Sequence, residues 1–383
     1  MAMLAAFAVI IPASCRVTRQ LKADATIRLQ SVKENIAERP FPSVSVVVYD
    51  FSKVTSIGDY LDALCRQDWP SFSVVLVSDA SAADARELQE RYRSRFPRVH
   101  FTFIPPGSHN LSRRKLAFTI GIKAVDSDFI LTTVSNCTIP SPQWISLMMA
   151  PVMADPAKKI CLGLSRPDFN TLRGVGKWYR QFDFTLRSMQ WIAAAVAQRP
   201  VRGDGYNLLF SRSLFFSRNG YSSTAYLDPG DDDLFLTEIA DNENTALQLN
   251  RDAVLVQQWE PDPVKALSDQ KERYDFTSRF LPRRPFFSAS AVSWTQWIVF
   301  LGCVGSILTS GTAAVIYIPL SAGLLFVWWG FQIYLYRKAA VATATVRLWW
   351  SIPIFTLWRP LGNLLFRMRH RSSRHRHFTW RPS

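Results

Sequence analysis

Residues 42–48 read Pro-Ser-Val-Ser-Val-Val-Val, and residues 73–77 read Ser-Val-Val-Leu-Val. Such continuous runs of β-branched and aliphatic side chains are typical of strands that are buried on both faces of a sheet. Residues 55–67, between the two runs, have a helical pattern. Because parallel neighbours need a crossover connection, this succession of strand, helix and strand predicts an α/β fold with a parallel sheet.

The same alternation continues beyond this pair. Four strands with three helical crossovers form a Rossmann-like half, in which ligands collect at the carboxyl ends of the strands. A second part, at about residues 140–280, supplies three more strands. The further predicted segments are a helix at 83–95, a strand at 100–104, a helix at 112–125, a strand at 129–133, and strands near 160–165, 207–210 and 253–256.

The charge distribution separates the end of the chain from the rest. Residues 276–383 contain 13 Lys and Arg and no Asp or Glu, against a net charge of +15 for the whole chain. This basic excess brackets an apolar stretch instead of lining a globular face, which argues against nucleic-acid binding. Residues 285–336 are 52 consecutive residues without a charge, and a spanning helix needs about 20 apolar residues. We therefore expect a transmembrane hairpin of two helices, residues 290–310 and 312–336.

Basic residues flank both ends of the predicted hairpin. Arg279, Arg283 and Arg284 precede it, and Arg337 and Lys338 follow it. Since positive charges stay on the cytoplasmic side, both ends of the hairpin and the α/β domain are expected in the cytoplasm. The alternative, two core helices of a soluble protein, is disfavoured because such a core rarely holds so long a charge-free run.

Shorter segments give further membrane signals. Residues 348–358 form an apolar stretch that contains Pro353, and this stretch predicts an interfacial helix. The basic tail, residues 367–376, suits anionic lipid headgroups, with a disordered solvated tail as the alternative. Residues 1–13 are apolar, but the positive charges follow them instead of preceding them. This order argues against a cleaved signal and is compatible with a short anchor.

These observations divide the chain into four regions. We expect an N-terminal membrane anchor and linker in residues 1–40, an α/β domain in 41–282, a transmembrane hairpin in 286–337, and an interfacial basic helix with a polybasic tail in 338–383. The five cysteines show no paired spacing. That distribution suits a reducing compartment and argues against a structural zinc site.

Several motifs of the α/β domain follow one another in a recognisable order. They are the opening strand, residues 64–70 (Leu-Cys-Arg-Gln-Asp-Trp-Pro), 75–81 (Val-Leu-Val-Ser-Asp-Ala-Ser), 207–216 (Asn-Leu-Leu-Phe-Ser-Arg-Ser-Leu-Phe-Phe), 230–235 (Gly-Asp-Asp-Asp-Leu-Phe) and 270–274 (Gln-Lys-Glu-Arg-Tyr). In this order they resemble the family 2 glycosyltransferases of the GT-A fold. The hydrophobic hairpin resembles that of membrane-anchored bacterial members. The resemblance implies a nucleotide-diphosphate sugar donor and a location at the bacterial cytoplasmic (inner) membrane.

Two acidic residues follow the first two predicted strands. Asp79 comes directly after the second strand, where a carboxylate can accept a hydrogen bond from the imide N–H of a uracil. In the resembling family this position contacts the nucleobase. The alternative is an ordinary turn aspartate. Asp50, after the first strand, is a second candidate for the same nucleoside pocket.

A basic cluster opens the helix predicted at residues 112–125. Arg113, Arg114 and Lys115 follow Ser112, which is a plausible N-cap. A cationic cluster at a helix N-terminus can bind a pyrophosphate, and the matching segment of the family contributes to donor binding. A solvated basic turn is the alternative.

Asp231, Asp232 and Asp233 are three adjacent carboxylates directly before an apolar segment. Three like charges are costly together unless a metal, a cation or solvent compensates them, so this placement indicates a site. The resemblance places the general base here, at Asp231 when the motif is aligned on Leu234, with Asp232 as the rival. An acidic cluster at a helix start is the alternative.

Gln270, Arg273 and Tyr274 fit a Gln-x-x-Arg-aromatic pattern. On a helix the three-residue spacing places Gln270 and Arg273 on one face, so both can reach a phosphate or an acceptor. The family version lies over the donor diphosphate and the acceptor entrance, and Tyr274 stands where tryptophan is commonest.

One motif of the resembling family is absent. Its Asp-x-Asp, which holds Mg²⁺ or Mn²⁺ on the nucleotide diphosphate, is replaced by Val134, Ser135 and Asn136. Asn136 offers a carbonyl oxygen but lacks the charge that a hard divalent cation prefers. Three alternatives follow: Arg113, Arg114, Lys115 and Arg273 replace the metal charge, the enzyme is slow, or it no longer catalyses.

We therefore expect inverting transfer of a sugar from a nucleotide-diphosphate donor to a membrane lipid, lipid-linked or glycan acceptor. Two helices after the domain are few for a translocating pore, which favours transfer of a single sugar over polymer export. The alternative is a catalytically degenerate glycosyltransferase-like membrane protein that acts as a binding or partner subunit.

Overall fold

The computed structural model describes residues 40–50, 57–79, 81–105, 112–197, 200–259, 262–282, 297–306, 308 and 314–369. By their internal contacts the residues divide into two units. The α/β unit takes Asp24–Thr171 and Ala194–Leu281, and the helical unit takes Leu172–Ala193 and Pro282–Ser372, each over its described residues. The predicted N-terminal anchor and the end of the basic tail lie outside the described residues.

Two sheets form the centre of the α/β unit. Every residue of the first strand is buried, which explains why valine dominates its sequence. The strands are β1 Val44–Asp50, β2 Phe72–Ser78, β3 Val99–Phe103, β4 Phe129–Val134, β5 Cys137–Thr138, β6 Ile160–Leu162, β7 Ser165–Pro167, β8 Leu208–Ser211, β9 Thr245–Leu247 and β10 Leu255–Gln257.

The larger sheet has the order β3-β2-β1-β4-β8-β6-β9, and the smaller one has the order β5-β10-β7. Strands β1 to β4 pair in parallel, as the sequence predicts. Strand β8 is antiparallel to both β4 and β6. The α/β class with a mostly parallel sheet is therefore confirmed, and one reversed strand lies in the middle of the sheet.

Seven helices lie wholly within the described part of the α/β unit. Ser112 caps the helix Arg113–Lys123, because its hydroxyl accepts from the backbone N–H of Lys115, as predicted. The helices are α1 Ile57–Cys65, α2 Ala82–Tyr92, α3 Arg113–Lys123, α4 Trp144–Ala154, α6 Arg212–Ser217, α7 Asp233–Ile239 and α8 Pro263–Thr277; α5 Gly174–Val196 runs mainly through the helical unit.

The helical unit contains α5 and three C-terminal helices: α9 Trp297–Ser306, α10 Ala314–Ala342 and α11 Ser351–Arg369. An aromatic core joins α5 to α10 and α11 through Phe182, Tyr336 and Phe355. Within this core, Oδ1 of Asp183 accepts from Nε of Arg359 at 3.0 Å. The sequence places α5 inside the 41–282 domain, and its contacts instead place it with the C-terminal helices.

Among the described residues, one helix segment, Ile318–Ala342, is long and apolar enough to cross a membrane. It contains most of the second predicted span and continues past Tyr336. The first predicted span corresponds in part to the shorter apolar helix α9. Its remaining residues lie largely outside the described part of the chain, so the hairpin stays a prediction.

Candidate functional site

The three acidic residues Asp231, Asp232 and Asp233 stand at the start of α7. The helix is held by its apolar residues, since Leu234, Phe235 and Leu236 are buried. Gly230 precedes the cluster with φ of +97°, a conformation that favours glycine. The three successive carboxylates that follow have different partners.

Asp231 is buried and forms an ion pair with Arg114, with 2.8 Å between Oδ2 and Nε. The guanidinium of Arg114 also lies 4.4 Å from the centre of the Tyr206 ring. Burial raises the pKa of Asp231, the charge of Arg114 opposes that rise, and the charge of Asp232 adds to it. A carboxylate with a raised pKa is a stronger base than an exposed one.

Asp232 is partly buried and accepts two backbone hydrogen bonds. Its Oδ1 accepts from the N–H of Asp233 at 2.7 Å, which makes it the N-cap of α7. Its Oδ2 accepts from the N–H of Gly205 at 3.2 Å. Both oxygens of Asp232 are therefore occupied by backbone donors.

Asp233 faces away from these two residues into a structural ion pair. Its Oδ2 lies 2.9 Å from Nε of Arg202 and accepts a 2.6 Å bond from the hydroxyl of Thr277. The ring of Tyr274 lies 3.4 Å from the guanidinium carbon of Arg202. Tyr274, a predicted donor contact, is therefore in contact with this buried pair.

The loop before β8 places the backbone N–H of Gly205 against Asp232, and sequence reasoning missed the residue before it, Asp204. Oδ2 of Asp204 accepts from both the N–H and the hydroxyl of Ser165 at 2.6 Å, and Oδ1 accepts from the N–H of Tyr206 at 3.0 Å. Burial raises the pKa of Asp204 to about 6, against the bonds from Ser165. An aspartate between two glycines directly before a strand was the available signal.

The ammonium of Lys115 is buried and satisfied by backbone carbonyls. Nζ donates to the carbonyl oxygens of Thr224, Leu227 and Pro229 at 2.7, 3.1 and 3.0 Å. Burial lowers the pKa of Lys115 to about 8, against the charges of the aspartates at the site. Through these contacts Lys115 stabilises the loop that leads to Asp231.

The candidate nucleoside side lies at the carboxyl ends of β1 and β2. The N–H of Asp79 donates to the carbonyl of Asp50 at 2.9 Å, so the two predicted residues are neighbours. The carboxylate of Asp79 forms an ion pair with Arg113 and accepts from the hydroxyl of Tyr49 at 3.3 Å. Asp50 is buried and accepts from the hydroxyl of Ser135 at 2.6 Å.

The predicted Gln-x-x-Arg pair lies on α8. Arg273 forms an ion pair with Asp228, with 3.3 Å between Nη2 and Oδ2. Nε2 of Gln270 lies 3.4 Å from Oε1 of Gln257. Both side chains therefore reach from α8 toward other elements of the α/β unit.

The first turn of α3 connects these groups. Arg113 pairs with Asp79 after β2, Arg114 pairs with Asp231 before α7, and Lys115 holds the intervening loop. Of these three consecutive basic residues, two therefore pair with different aspartates and the third binds backbone carbonyls. The structure brings the predicted nucleoside and base residues together around this turn.

Residues 43–203 match the model of the family described as Glycosyl transferase family 2. Residues 43–203 therefore resemble a family 2 glycosyltransferase domain. This match covers β1 to β4 with the residues that follow them, and it ends one residue before Asp204. The acidic and basic residues gather at the carboxyl ends of these strands, where ligands of parallel sheets bind. No curated protein sequence matches the chain.

Several solved structures are similar to this chain. A mannosyltransferase from Pyrobaculum calidifontis in complex with GDP-Man and Mn²⁺ is 17% identical, with TM-score 0.47 and coverage of 92% of this chain and 98% of that one. S. aureus TarS 1-349 is 14% identical, with TM-score 0.41 and coverage of 84% and 92%. Glucosyl-3-phosphoglycerate synthase from Mycobacterium tuberculosis with Mn²⁺ and UDP-glucose is 14% identical, with TM-score 0.39 and coverage of 64% and 81%.

Proposed function

We propose that the protein transfers a sugar from a nucleotide-diphosphate donor to a membrane-associated acceptor, with inversion at the anomeric carbon. The observation that carries this proposal is the pair of contacts made by adjacent residues of α3. Arg113 reaches Asp79 on the nucleoside side, and Arg114 reaches Asp231 at the acidic cluster. A donor lying across this turn has its nucleoside near Asp79 and its sugar near Asp231.

Asp231 acts as the general base in this mechanism. It takes the proton from the acceptor hydroxyl as the oxygen forms a bond to the anomeric carbon. The bond between that carbon and the diphosphate oxygen breaks, and its electron pair leaves with the nucleoside diphosphate. Burial favours this role because it raises the pKa of the carboxyl group.

The proposed acceptor is a lipid, a lipid-linked sugar or a glycan at the bacterial inner membrane. The segment Ile318–Ala342 is long enough to span, and large apolar side chains such as Phe326 and Val327 are exposed on it. Arg337 and Lys338 mark its cytoplasmic end. An impermeant maleimide should label Gly311→Cys but not Arg347→Cys in intact cells of a cysteine-free variant. The reverse pattern contradicts this orientation.

Donor turnover by the detergent-solubilised chain tests the enzymatic proposal. Nucleotide-sugar hydrolysis and transfer are measured with and without Mn²⁺ across a panel of donors. Asp231→Asn should lower kcat by about a hundredfold or more, and Arg273→Ala should also lower turnover. Asp126→Asn, which removes a fully exposed carboxylate, is the matched control. If every donor is untouched, or if Asp231→Asn equals the control, the proposal fails; a large loss in Asp232→Asn alone transfers the role to that residue.

The second candidate function is a binding subunit without catalysis. The residues after β4 favour it, since the amide of Asn136 donates to the carbonyl of Gln258 at 3.0 Å where the family has a carboxylate. In that case nucleotide binding persists while no variant or donor gives turnover.

A further inference from the structure

Strand β4 ends without the charged oxygens that a divalent cation needs. Val134 is buried, the hydroxyl of Ser135 donates to Asp50, and the amide nitrogen of Asn136 donates to the carbonyl of Gln258 at 3.0 Å. Within the described residues no three His, Cys, Asp or Glu side chains lie close enough to hold a metal ion. The residues present after β4 therefore do not fit Mg²⁺ or Mn²⁺.

Asp50 is the carboxylate that is hydrogen-bonded to Ser135. It does not replace the missing metal ligands. Its side chain is buried, and its Oδ1 already accepts the 2.6 Å bond from Ser135. Hard cations such as Mg²⁺ keep several water ligands and need an accessible carboxylate. Positive charge for a diphosphate must come from protein side chains.

Four arginines of the site are paired with aspartates, and exposure divides them into two kinds. Arg114 and Arg202 have 13% and 1% of their side chains exposed, and they hold the buried residues Asp231 and Asp233. Breaking such buried pairs leaves an uncompensated charge and is costly. These two arginines are therefore fixed parts of the fold.

The other two pairs are accessible. Arg113, with 30% of its side chain exposed, pairs with Asp79, and Arg273, with 48% exposed, pairs with Asp228. Exposed ion pairs contribute only about 0 to 1 kcal/mol, so an incoming anion can replace the carboxylate in them. Arginine suits this exchange because its planar guanidinium binds a phosphate with two parallel hydrogen bonds.

The two accessible arginines are linked through the start of α3. The hydroxyl of Ser112 donates to the carbonyl of Asp228 at 2.8 Å, and Arg113 follows Ser112 directly. The side chain of the same Asp228 holds Arg273. A chain of contacts through Ser112 and Asp228 thus links the start of α3, which carries Arg113, to Arg273 on α8.

We propose that the chain binds the diphosphate of its nucleotide donor through Arg113 and Arg273, without a divalent cation. This inference rests on the proposed donor class. In the free protein Asp79 and Asp228 hold the two guanidiniums, and the diphosphate replaces these carboxylates on binding. The release of Asp79 from Arg113 leaves its carboxylate able to accept a hydrogen bond from the nucleobase, so that diphosphate and base recognition are coupled.

Nucleotide binding to the full chain in detergent micelles tests this proposal without any need for turnover. The probes are UDP, GDP, CDP and dTDP, titrated calorimetrically in EDTA and again in Mn²⁺. The best-bound nucleotide should show affinities within about twofold in the two buffers. Arg113→Gln and Arg273→Gln should each weaken binding about tenfold to a hundredfold, as expected for loss of a charged hydrogen bond. Arg212→Gln, whose partner Asp126 is fully exposed, is the matched control and should bind like wild type.

A second variant makes the test independent of any loss of binding. Asn136→Asp restores one carboxylate after β4, and Val134→Asp with Asn136→Asp restores both. Mn²⁺ should then strengthen nucleotide binding in these variants and not in wild type. If the substitution at the buried Val134 prevents folding, the single substitution at the partly exposed Asn136 still provides the test. Loss of wild-type binding in EDTA overturns the metal-free inference and leaves the proposed function standing. Absence of binding for all four nucleotides in both buffers overturns both.

Discussion

The Nε atom of Arg114 lies 2.8 Å from the Oδ2 atom of Asp231, and that carboxylate is buried. Because arginine keeps its charge across the working pH range, it opposes the rise in pKa that burial imposes on Asp231. The pair therefore sets the pH range in which the proposed base is ionised.

Replacement of Arg114 by glutamine should move the pH dependence of the reaction. Burial and the charge of Asp232 raise the pKa of Asp231, and the variant lacks the guanidinium that opposes this rise. A base must be ionised to accept a proton, so the acid limb of kcat/KM should shift to higher pH. The measurement is donor turnover between pH 5 and 9, with Arg212→Gln as control. An unchanged acid limb would show that Asp231 is not the titrating base.

Gly205→Ala should reduce turnover while the fold remains. A Cβ at this position would lie 2.8 Å from Oδ2 of Asp231 and 2.9 Å from Nη2 of Arg114, so this ion pair must shift. Displacement of a reacting group by about 1 Å can lower the rate about a hundredfold. Gly58→Ala is the matched control, since its Cβ would meet Tyr92 at 3.6 Å. Equal kcat in both variants would place the chemistry elsewhere.

Lys115→Met should lower both stability and turnover. The substitution removes the donor from the carbonyls of Thr224, Leu227 and Pro229, and these lie in the loop that leads to Asp231. Because the buried carbonyl acceptors lose their donor, the free energy of unfolding should fall by on the order of 3 kcal/mol. Urea unfolding and kcat are compared with Lys123→Met, which alters an exposed lysine of the same helix. A variant as stable as this control would contradict the structural role of Lys115.

Asp204 should give the protein a component of stability that falls as pH rises. Its pKa is raised to about 6 in the folded state from 3.8, so the folded state holds its proton more tightly than the unfolded state does. The contribution is present below about pH 4 and is lost as pH rises to about 6. The free energy of unfolding of wild type minus that of Asp204→Asn should therefore decrease across this window and be constant above it. Asp126→Asn is the control, and a difference that rises with pH would reverse the assignment.

The strands that carry the site could be predicted from the sequence because burial leaves a direct trace in composition. Strands β1, β2 and β4 are buried along their full length or nearly so, and their apolar runs show it. Residues that follow buried parallel strands lie at one edge, so Asp50 and Asp79 could be expected to be neighbours. The capping role of Ser112 is equally local.

The rest depends on contacts distant in sequence. Lys115 looks like a phosphate ligand beside Arg113 and Arg114, and only the fold shows that its partners are carbonyls more than 100 residues away. Asp204 stands between two glycines, and only the fold shows that its carboxylate accepts hydrogen bonds from Ser165, 39 residues away. The placement of α5 with the C-terminal helices depends on Asp183 meeting Arg359, which no periodicity reveals.

Arg202→Met should be the most destabilising of the single substitutions considered for the α/β unit. Arg202 is almost fully buried, lies 2.9 Å from Asp233 and contacts the ring of Tyr274. Methionine keeps much of the side-chain volume but leaves the Asp233 carboxylate buried without its cation, for which a loss of about 3 to 5 kcal/mol is typical. Urea unfolding of the full chain in detergent gives the value, and Arg212→Met, at a surface pair worth about 0 to 1 kcal/mol, is the control. Addition of Asp233→Asn to Arg202→Met should recover part of the loss, because the uncompensated charge is then removed. If the double variant is no more stable than Arg202→Met alone, the cost lies in packing against Tyr274 and not in the buried charge.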